Sequence, residues 1–304
     1  MNFFDFGEKI NIDTEFVIFG IPWDYLTSID APNSAVAPQK IREVSDNLAL
    51  TSELGFEIPK IKVVDIGDVI IEPNKVEKNL KEIGNYVKSI YDEKKNIVLV
   101  MIGGDHFCTF PVVKVIGNNL KKKDNFGVLT FDAHLDLYQE WDKGVYSHAT
   151  ISHRIYDLEF INNRNLLIVG TRDIDIPELE IAKREKIAFL NAYKLTELGL
   201  NEYTKRIIDF FLNSDIISLY VSIDIDALDP SIAPGTGFAI PGGFSYREIW
   251  NILRELTKNF NIIGFDLVEV APNLDNANNM TSNLAAKLII EFISFIAEKK
   301  GRSK

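Results

Sequence analysis

The chain has 304 residues, 46% of them hydrophobic and 25% charged, a balance that excludes a disordered protein and allows a large core. Its 33 basic and 44 acidic residues give a formal net charge of −11, which argues against nucleic acid or an anionic membrane as a partner and is compatible with a cationic ligand. The single cysteine excludes an internal disulfide framework, and because no membrane-spanning apolar run or secretory signal is evident, we expect a cytoplasmic protein.

Short apolar, β-branched runs alternate along the chain with longer amphipathic stretches. The runs predict eight strands, at Glu15–Gly20, Ile61–Ile66, Asn96–Ile102, Phe126–Asp132, Asn165–Gly170, Ile187–Leu190, Ile217–Asp224 and Asn261–Leu267. Several of them are apolar throughout, as expected for strands that are covered on both faces.

Apolar residues at helical spacing predict helices between these strands. The clearest are Asn74–Tyr91, Asn201–Leu212, Ser245–Thr257 and Asn283–Ala297, and Ser245 with Glu248 matches a capping box. Repeated alternation of strand and helix predicts an α/β fold in which helices cover both faces of a parallel sheet. Because no linker, repeat or low-complexity segment interrupts the pattern, we expect residues 1–304 to form one domain.

Residues that can bind metal ions follow three of the predicted strands, where open parallel sheets bind ligands. Gly103-Gly104-Asp105-His106 follows the third strand, Asp132-Ala133-His134-Leu135-Asp136 the fourth and Asp224-Ile225-Asp226 the seventh. Alternate residues of an extended segment point to one face. We therefore expect Asp132, His134 and Asp136 to converge, and Asp224 to converge with Asp226.

Four carboxylates in one crevice repel each other strongly unless cations lie between them. With two imidazoles they make six candidate ligands, enough for two ions with bridging carboxylates: His106, Asp132, His134, Asp136, Asp224 and Asp226. Hard oxygen donors with some nitrogen favour Mn²⁺, with Fe²⁺, Co²⁺, Ni²⁺ and Zn²⁺ as alternatives. Two ions about 3.5–4 Å apart can generate a hydroxide at neutral pH, so the pattern indicates metal-assisted hydrolysis.

The segments Gly103–His106, Asp132–Asp136 and Ser222–Pro230, in this order, resemble the three signatures of the ureohydrolase family. That family includes arginase, agmatinase, formimidoylglutamase and guanidinobutyrase. The resemblance extends from Gly20-Ile21-Pro22 to Glu269-Val270. It implies a three-layer α/β/α domain with an eight-stranded, mainly parallel sheet, two Mn²⁺ per subunit, and a homotrimer or homohexamer.

The resemblance also implies a role for each candidate residue. One ion would be held by His106, Asp132, Asp136 and Asp224, and the other by Asp132, His134, Asp224 and Asp226. Asp136 would also orient the attacking hydroxide. Glu269 matches the glutamate that pairs with the substrate guanidinium, and His148 matches the histidine that passes a proton to the leaving amine. We interpret His153 and Cys108 as structural.

Two local features favour agmatine, which would yield putrescine and urea, over other guanidino compounds. Tyr138 stands where arginases carry an asparagine that contacts the substrate carboxylate, and Tyr146–Thr150 is closer to the agmatinase sequence than to the arginase one. Asp175 matches an arginase aspartate near the α-amine but could equally bind the ammonium of agmatine. Arginase, guanidinobutyrase or formimidoylglutamase activity, and a catalytically silent metal-binding oligomer, remain alternatives.

Two departures from the family pattern bear on specificity. Phe238 replaces a threonine that hydrogen-bonds near the guanidinium-binding glutamate, so the pocket is expected to be drier or reshaped. The loop Thr27–Asn33 lacks the glycine and arginine that are common in the family. The substrate could therefore differ from that of any named member.

Overall fold

A computed structural model describes residues 1–25, 33–142 and 144–300; the loop Thr27–Asn33, except Asn33, lies outside these residues. The described chain contains an eight-stranded sheet in the order β2-β1-β3-β8-β7-β4-β5-β6, in which all neighbours are parallel. The strands are β1 (Phe16–Ile21), β2 (Val63–Asp68), β3 (Val98–Gly103), β4 (Phe126–Phe131), β5 (Leu166–Thr171), β6 (Ala188–Asn191), β7 (Ser218–Asp224) and β8 (Asn261–Val268). The eight predicted strands are thus confirmed, with ends shifted by two residues at most.

Helices cover both faces of this sheet. They are α1 (Ala37–Ser45), α2 (Val76–Glu93), α3 (Thr109–Asn119), α4 (Ile151–Tyr156), α5 (Ile176–Glu185), α6 (Tyr193–Leu212), α7 (Tyr246–Asn259) and α8 (Met280–Lys299). Alternate strand residues enter two separate cores: Val100 belongs to the core that includes residues of α1, α6, α7 and α8, whereas Leu99 belongs to the core that includes residues of α2, α3, α4 and α5. The predicted three-layer α/β/α architecture is therefore confirmed, while the single domain over 1–304 stays a prediction.

Three expectations about the helices need correction. Helix α6 begins at Tyr193 rather than Asn201, because the helical segments on either side of Gly199 join across a kink where this residue has φ 73°. The helices α1, α3, α4 and α5 were not among the four predicted with bounds. Helix α8 has the length and apolar composition of a membrane span, contrary to the sequence-based expectation, but 78% of its most apolar segment is buried inside the protein, as in a core helix. The capping box of Ser245 and Glu248 is confirmed at the start of α7.

Candidate metal centre and substrate pocket

The four central strands bring the predicted site residues to one edge of the sheet. His106 begins a short 3-10 turn that two residues separate from the end of β3, and Asp132 directly follows β4. Asp224 ends β7, and Glu269 directly follows β8. Since β3, β8, β7 and β4 are neighbours in the sheet, residues separated by more than a hundred positions meet at their carboxyl ends.

The first group of possible ligands surrounds the imidazole of His106. Its Nδ1 atom lies 3.1 Å from Asp132 Oδ2, 3.2 Å from Asp136 Oδ2 and 3.2 Å from Asp224 Oδ2. All four side chains are buried. Donor atoms of His106, Asp132 and Asp224 lie within 4.8 Å of one another, a spacing at which one ion can contact all three.

The second group surrounds the imidazole of His134. Its Nδ1 atom lies 3.1 Å from Asp226 Oδ2 and 3.4 Å from Asp132 Oδ1. Donor atoms of these three residues also lie within 4.8 Å of one another. The two oxygens of Asp132 therefore face different groups, as a bridging carboxylate requires.

The polar atoms of the first group test whether the residues fit a metal ion. His106 Nδ1 and Asp132 Oδ2 are fully buried and have no hydrogen-bond partner among the described residues. Buried polar atoms without partners are rare in folded proteins because their desolvation is not compensated. A divalent cation would satisfy both atoms, so these residues fit the ions that the resemblance implies.

The ring of His106 is held from behind by a network that the sequence analysis did not identify. His106 Nε2 lies 3.1 Å from Ser222 Oγ, which donates to Asp266 Oδ1 at 2.6 Å. The other oxygen of Asp266 accepts hydrogen bonds from the hydroxyls of Tyr220 and Thr109. A proton on Nε2 leaves the lone pair of Nδ1 facing the carboxylates, which is the tautomer that a metal ligand needs.

The titration of these groups reflects the crowding of like charges. Burial, followed by the charge of Asp226, raises the pKa of Asp224 well above its ordinary value, and burial with the charge of Asp132 does the same to Asp136. Burial lowers the pKa of the His106 imidazole, but its carboxylate neighbours outweigh this and raise it. Without metal ions, protons would have to offset part of the negative charge.

Glu269 lies beside this cluster in a strained backbone conformation. Its φ is 62° and that of Asp136 is 52°, in the left-handed region that side chains seldom adopt and that often occurs at functional sites. Glu269 Oε1 accepts a hydrogen bond from the backbone N–H of His106 at 2.7 Å. Glu269 is buried and does not line the cavity that opens onto the second group, so its pairing with a guanidinium stays a prediction.

This cavity has a volume of about 300 Å³. It is lined by His134, Asp136, Tyr138, Trp141, His148, Ala149, Asp173, Ile174, Asp175, Glu178 and Phe238. Four of these side chains are acidic, and three belong to tyrosine, tryptophan or phenylalanine. No lysine or arginine of the described chain lines the cavity. A cationic ligand with an apolar chain suits such a cavity.

His148 is in this wall, on a turn fixed by a capping box of Ser147 and Thr150. Its ring centroid lies 6.5 Å from that of Trp141 and 6.2 Å from that of Phe238. Burial, assisted by the charges of His134 and His106, lowers the pKa of His148 to about 4. The imidazole is therefore neutral near pH 7.

Asp175 and Tyr138 form a pair at the same cavity. Asp175 caps α5 by accepting the backbone N–H of Ile176 at 2.7 Å, and its other oxygen accepts the hydroxyl hydrogen of Tyr138. Nearby, Asp173 Oδ2 lies 3.9 Å from His134 Nε2. The structure thus places two carboxylates in the cavity wall, rather than Asp175 alone.

The remaining residues of interest lie against or outside the two groups. The ring of Phe238 meets that of His134 edge to face at 5.4 Å, which makes the wall beside the second group apolar. His153 Nδ1 lies 3.0 Å from the carbonyl oxygen of Leu137 and belongs to neither group. Cys108 is buried, and burial raises the pKa of its thiol.

Comparisons with known proteins place this arrangement in a family. A family model described as the arginase family matches residues 14–294. The chain is 33% identical to the agmatinase of Bacillus anthracis, over 92% of the chain and 91% of that protein, and 35% identical to the mitochondrial arginase of Medicago truncatula, over 90% and 80%. The crystal structure of the agmatine ureohydrolase of Thermoplasma volcanium superposes with a TM-score of 0.82 at 26% identity, covering 95% of this chain and 92% of that one.

Proposed function

The chain belongs to the arginase family and is an amidinohydrolase, and from this premise we propose that its substrate is agmatine, which it cleaves to putrescine and urea. The observation that carries the choice of substrate is the composition of the cavity: Asp173, Asp175 and Glu178 line it, and no basic residue of the described chain does. Agmatine is cationic at both ends. The carboxylate of an amino-acid substrate would instead meet the like charges of Asp173 and Asp175.

The six predicted ligands would hold two divalent ions, which we propose to be Mn²⁺. The first would be bound by His106, Asp132, Asp136 and Asp224, and the second by Asp132, His134, Asp224 and Asp226. When bound, such ions supply a water molecule activated for attack at neutral pH and stabilise negative charge in the transition state. One oxygen of Asp132 faces His106 and the other faces His134, which supports this assignment.

Three side chains of the protein would act on the substrate and on protons. Asp136 both lines the cavity and faces His106, so its carboxylate can accept a hydrogen bond from the attacking water and orient it. Glu269 would pair with the guanidinium, whose planar fork of donors suits a carboxylate. His148, neutral near pH 7, would accept a proton that the attacking water loses and pass it to the leaving amine, since an amine leaves readily only after protonation.

The aromatic wall supports a substrate with an apolar chain between its two cations. Tyr138 and Trp141 lie side by side with ring centroids 4.8 Å apart, and both line the cavity. The hydroxyl of Tyr138 is already committed to Asp175. It therefore cannot donate a hydrogen bond to a substrate carboxylate, as the side-chain amide of an asparagine would.

Arginine is the second candidate substrate. The identity to the plant arginase and the match of Asp175 to an arginase residue both support it. Guanidinobutyrate and formimidoylglutamate carry a carboxylate, which the acidic cavity disfavours in the same way as that of arginine. A homotrimer or homohexamer in the cytoplasm remains our prediction for the assembled protein.

Turnover by metal-stripped and Mn²⁺-reloaded protein tests the proposal. The substrates are agmatine, arginine, guanidinobutyrate and formimidoylglutamate, and the products are urea for the first three and formamide for the last. We expect the Mn²⁺-reloaded protein to release urea from agmatine and the metal-stripped protein to release none. Reloaded protein that binds metal but turns over none of the four would be a catalytically silent metal-binding protein, contrary to the proposal.

A further inference from the structure

Arg172 directly follows β5 and makes an unusual set of contacts between the ligand groups and the pocket wall. Its backbone N–H donates to the carbonyl oxygen of Ala133 at 2.8 Å, and the N–H of Asp173 donates to the same oxygen at 3.0 Å. Ala133 stands between the predicted ligands Asp132 and His134. The backbone at Arg172 is therefore attached to the loop that supplies both groups.

The guanidinium of Arg172 extends from there to two other loops. Nη2 lies 2.6 Å from the carbonyl oxygen of Asp226 and 2.6 Å from that of Ile240. Longer contacts reach the carbonyl oxygens of Leu228, Pro241 and Gly170, at 3.3, 3.2 and 3.3 Å. A planar cation with five N–H donors can connect several carbonyls at once, which the single ammonium of a lysine cannot do with the same geometry.

The two loops joined by this side chain carry different parts of the site. One holds Asp226, the partner of His134 in the second ligand group. The other holds Phe238, whose carbonyl oxygen accepts the N–H of Ile240 at 3.1 Å and whose ring packs against His134. Arg172 thus reaches the second ligand group and the pocket wall through two short hydrogen bonds.

We infer that Arg172 is a positioning residue, which holds Asp226 and the loop of Phe238 in a fixed relation so that the second ion site and the substrate wall form together. The inference rests on the proposed function in so far as Asp226 binds an ion. The inference requires the fork of N–H donors and not only the positive charge. Two variants that both lack the fork but differ in charge can therefore test it.

Arg172→Lys keeps the charge and loses the fork, whereas Arg172→Gln removes the charge. Arg206→Lys is the control, because Arg206 lies on the exposed side of α6 and pairs with Glu202 at 3.3 Å, away from the site. Mn²⁺ binding to metal-stripped protein is measured by calorimetry, and KM and kcat for agmatine are measured at saturating Mn²⁺. Circular dichroism checks the fold of each variant.

We expect both Arg172 variants to bind the weaker of two ions about 10–100-fold less tightly, as is typical when a group that orients a metal ligand is removed, and to show a raised KM for agmatine. Arg206→Lys should change neither quantity. Wild-type affinity and KM in Arg172→Lys would overturn the inference, as would loss of fold in both variants, which would make Arg172 a structural residue. Wild-type protein that binds two ions without turnover would contradict the proposed function, yet the calorimetric comparison would still decide the role of Arg172.

Discussion

The Nδ1 atom of His106 lies 3.1 Å from Oδ2 of Asp132, yet neither atom has a hydrogen-bond partner among the described residues. Two further carboxylates approach the same nitrogen at 3.2 Å, those of Asp136 and Asp224. Several buried polar atoms that converge without hydrogen bonds to satisfy them form the surroundings of a cation. A divalent ion bound here would offset both the missing hydrogen bonds and the repulsion between the carboxylates.

Replacing His134 by alanine should remove one ion and lower kcat for agmatine at least about 100-fold, because the second group loses its nitrogen ligand. The fold should persist, since the side chain lies at the pocket surface and is 21% exposed. Metal content per chain and urea release check both expectations. His153→Ala is the control and should retain two ions and most of its activity. Full activity of His134→Ala would refute the ligand assignment.

Replacing His148 by glutamine should lower kcat about 10²–10³-fold while two ions still bind, because the residue belongs to neither ligand group and would act in proton transfer. Steady-state kinetics beside a metal titration separate the two effects. Partial recovery of kcat on addition of imidazole would support a proton relay. A variant with unchanged kcat would show that another group protonates the leaving amine.

Replacing Tyr138 by asparagine should shift specificity toward arginine. The change removes the ring and the hydroxyl that binds Asp175, and it introduces an amide that can donate to a carboxylate. We expect the ratio of kcat/KM for arginine to that for agmatine to rise at least about tenfold, or about 1.4 kcal/mol. Tyr138→Phe, which keeps the ring, is the control. An equal gain in both variants would mean that the hydroxyl alone excludes arginine.

Glu178 should make the metal-free protein less stable as pH rises. Burial raises the pKa of this carboxyl from 4.5 to about 7, so the native state keeps a proton that the unfolded state has lost. The stability contribution is full below about pH 4.5 and is lost as pH rises through about 7, by at most ~3 kcal/mol. In Glu178→Gln this loss should be absent, because glutamine does not titrate. The new amide oxygen can still accept the N–H of Leu137, so the fold should be kept. Urea unfolding of both proteins at pH 5 and pH 8 measures the difference; parallel changes would contradict the prediction.

Much of the site could be predicted because its chemistry is concentrated at strand ends. Apolar β-branched runs identified the strands, and the spacing at their ends grouped Asp132 with His134 and Asp224 with Asp226. The assumed extended backbone was wrong, because a 3-10 helix covers Ile225–Ala227 and Asp136 has φ 52°. That β3, β8, β7 and β4 are neighbours, and so bring His106 to Asp132, depends on the order of strands in the sheet. The resemblance to a known family grouped His106 with Asp132, but neither it nor the periodicity supplied this order.

Other parts of the site could not be predicted because they consist of contacts between distant segments. Nothing in the local sequence of Arg172 shows that its guanidinium binds carbonyls of Asp226 and Ile240. Similarly, Asp266 lies within an ordinary strand, and its role behind Ser222 and His106 arises only when β7 and β8 pair. Such groups carry no signature in the sequence, since the role of a half-buried arginine or a buried aspartate depends on its partners.

The most direct test of the account is the ratio of kcat/KM for agmatine to that for arginine, measured as urea release by Mn²⁺-loaded protein. Because the carboxylates of Asp173 and Asp175 line the cavity and no basic residue of the described chain does, we predict a ratio of at least about 100. A ratio near or below one would contradict the account, since it would mean that the acidic cavity does not select against a substrate carboxylate.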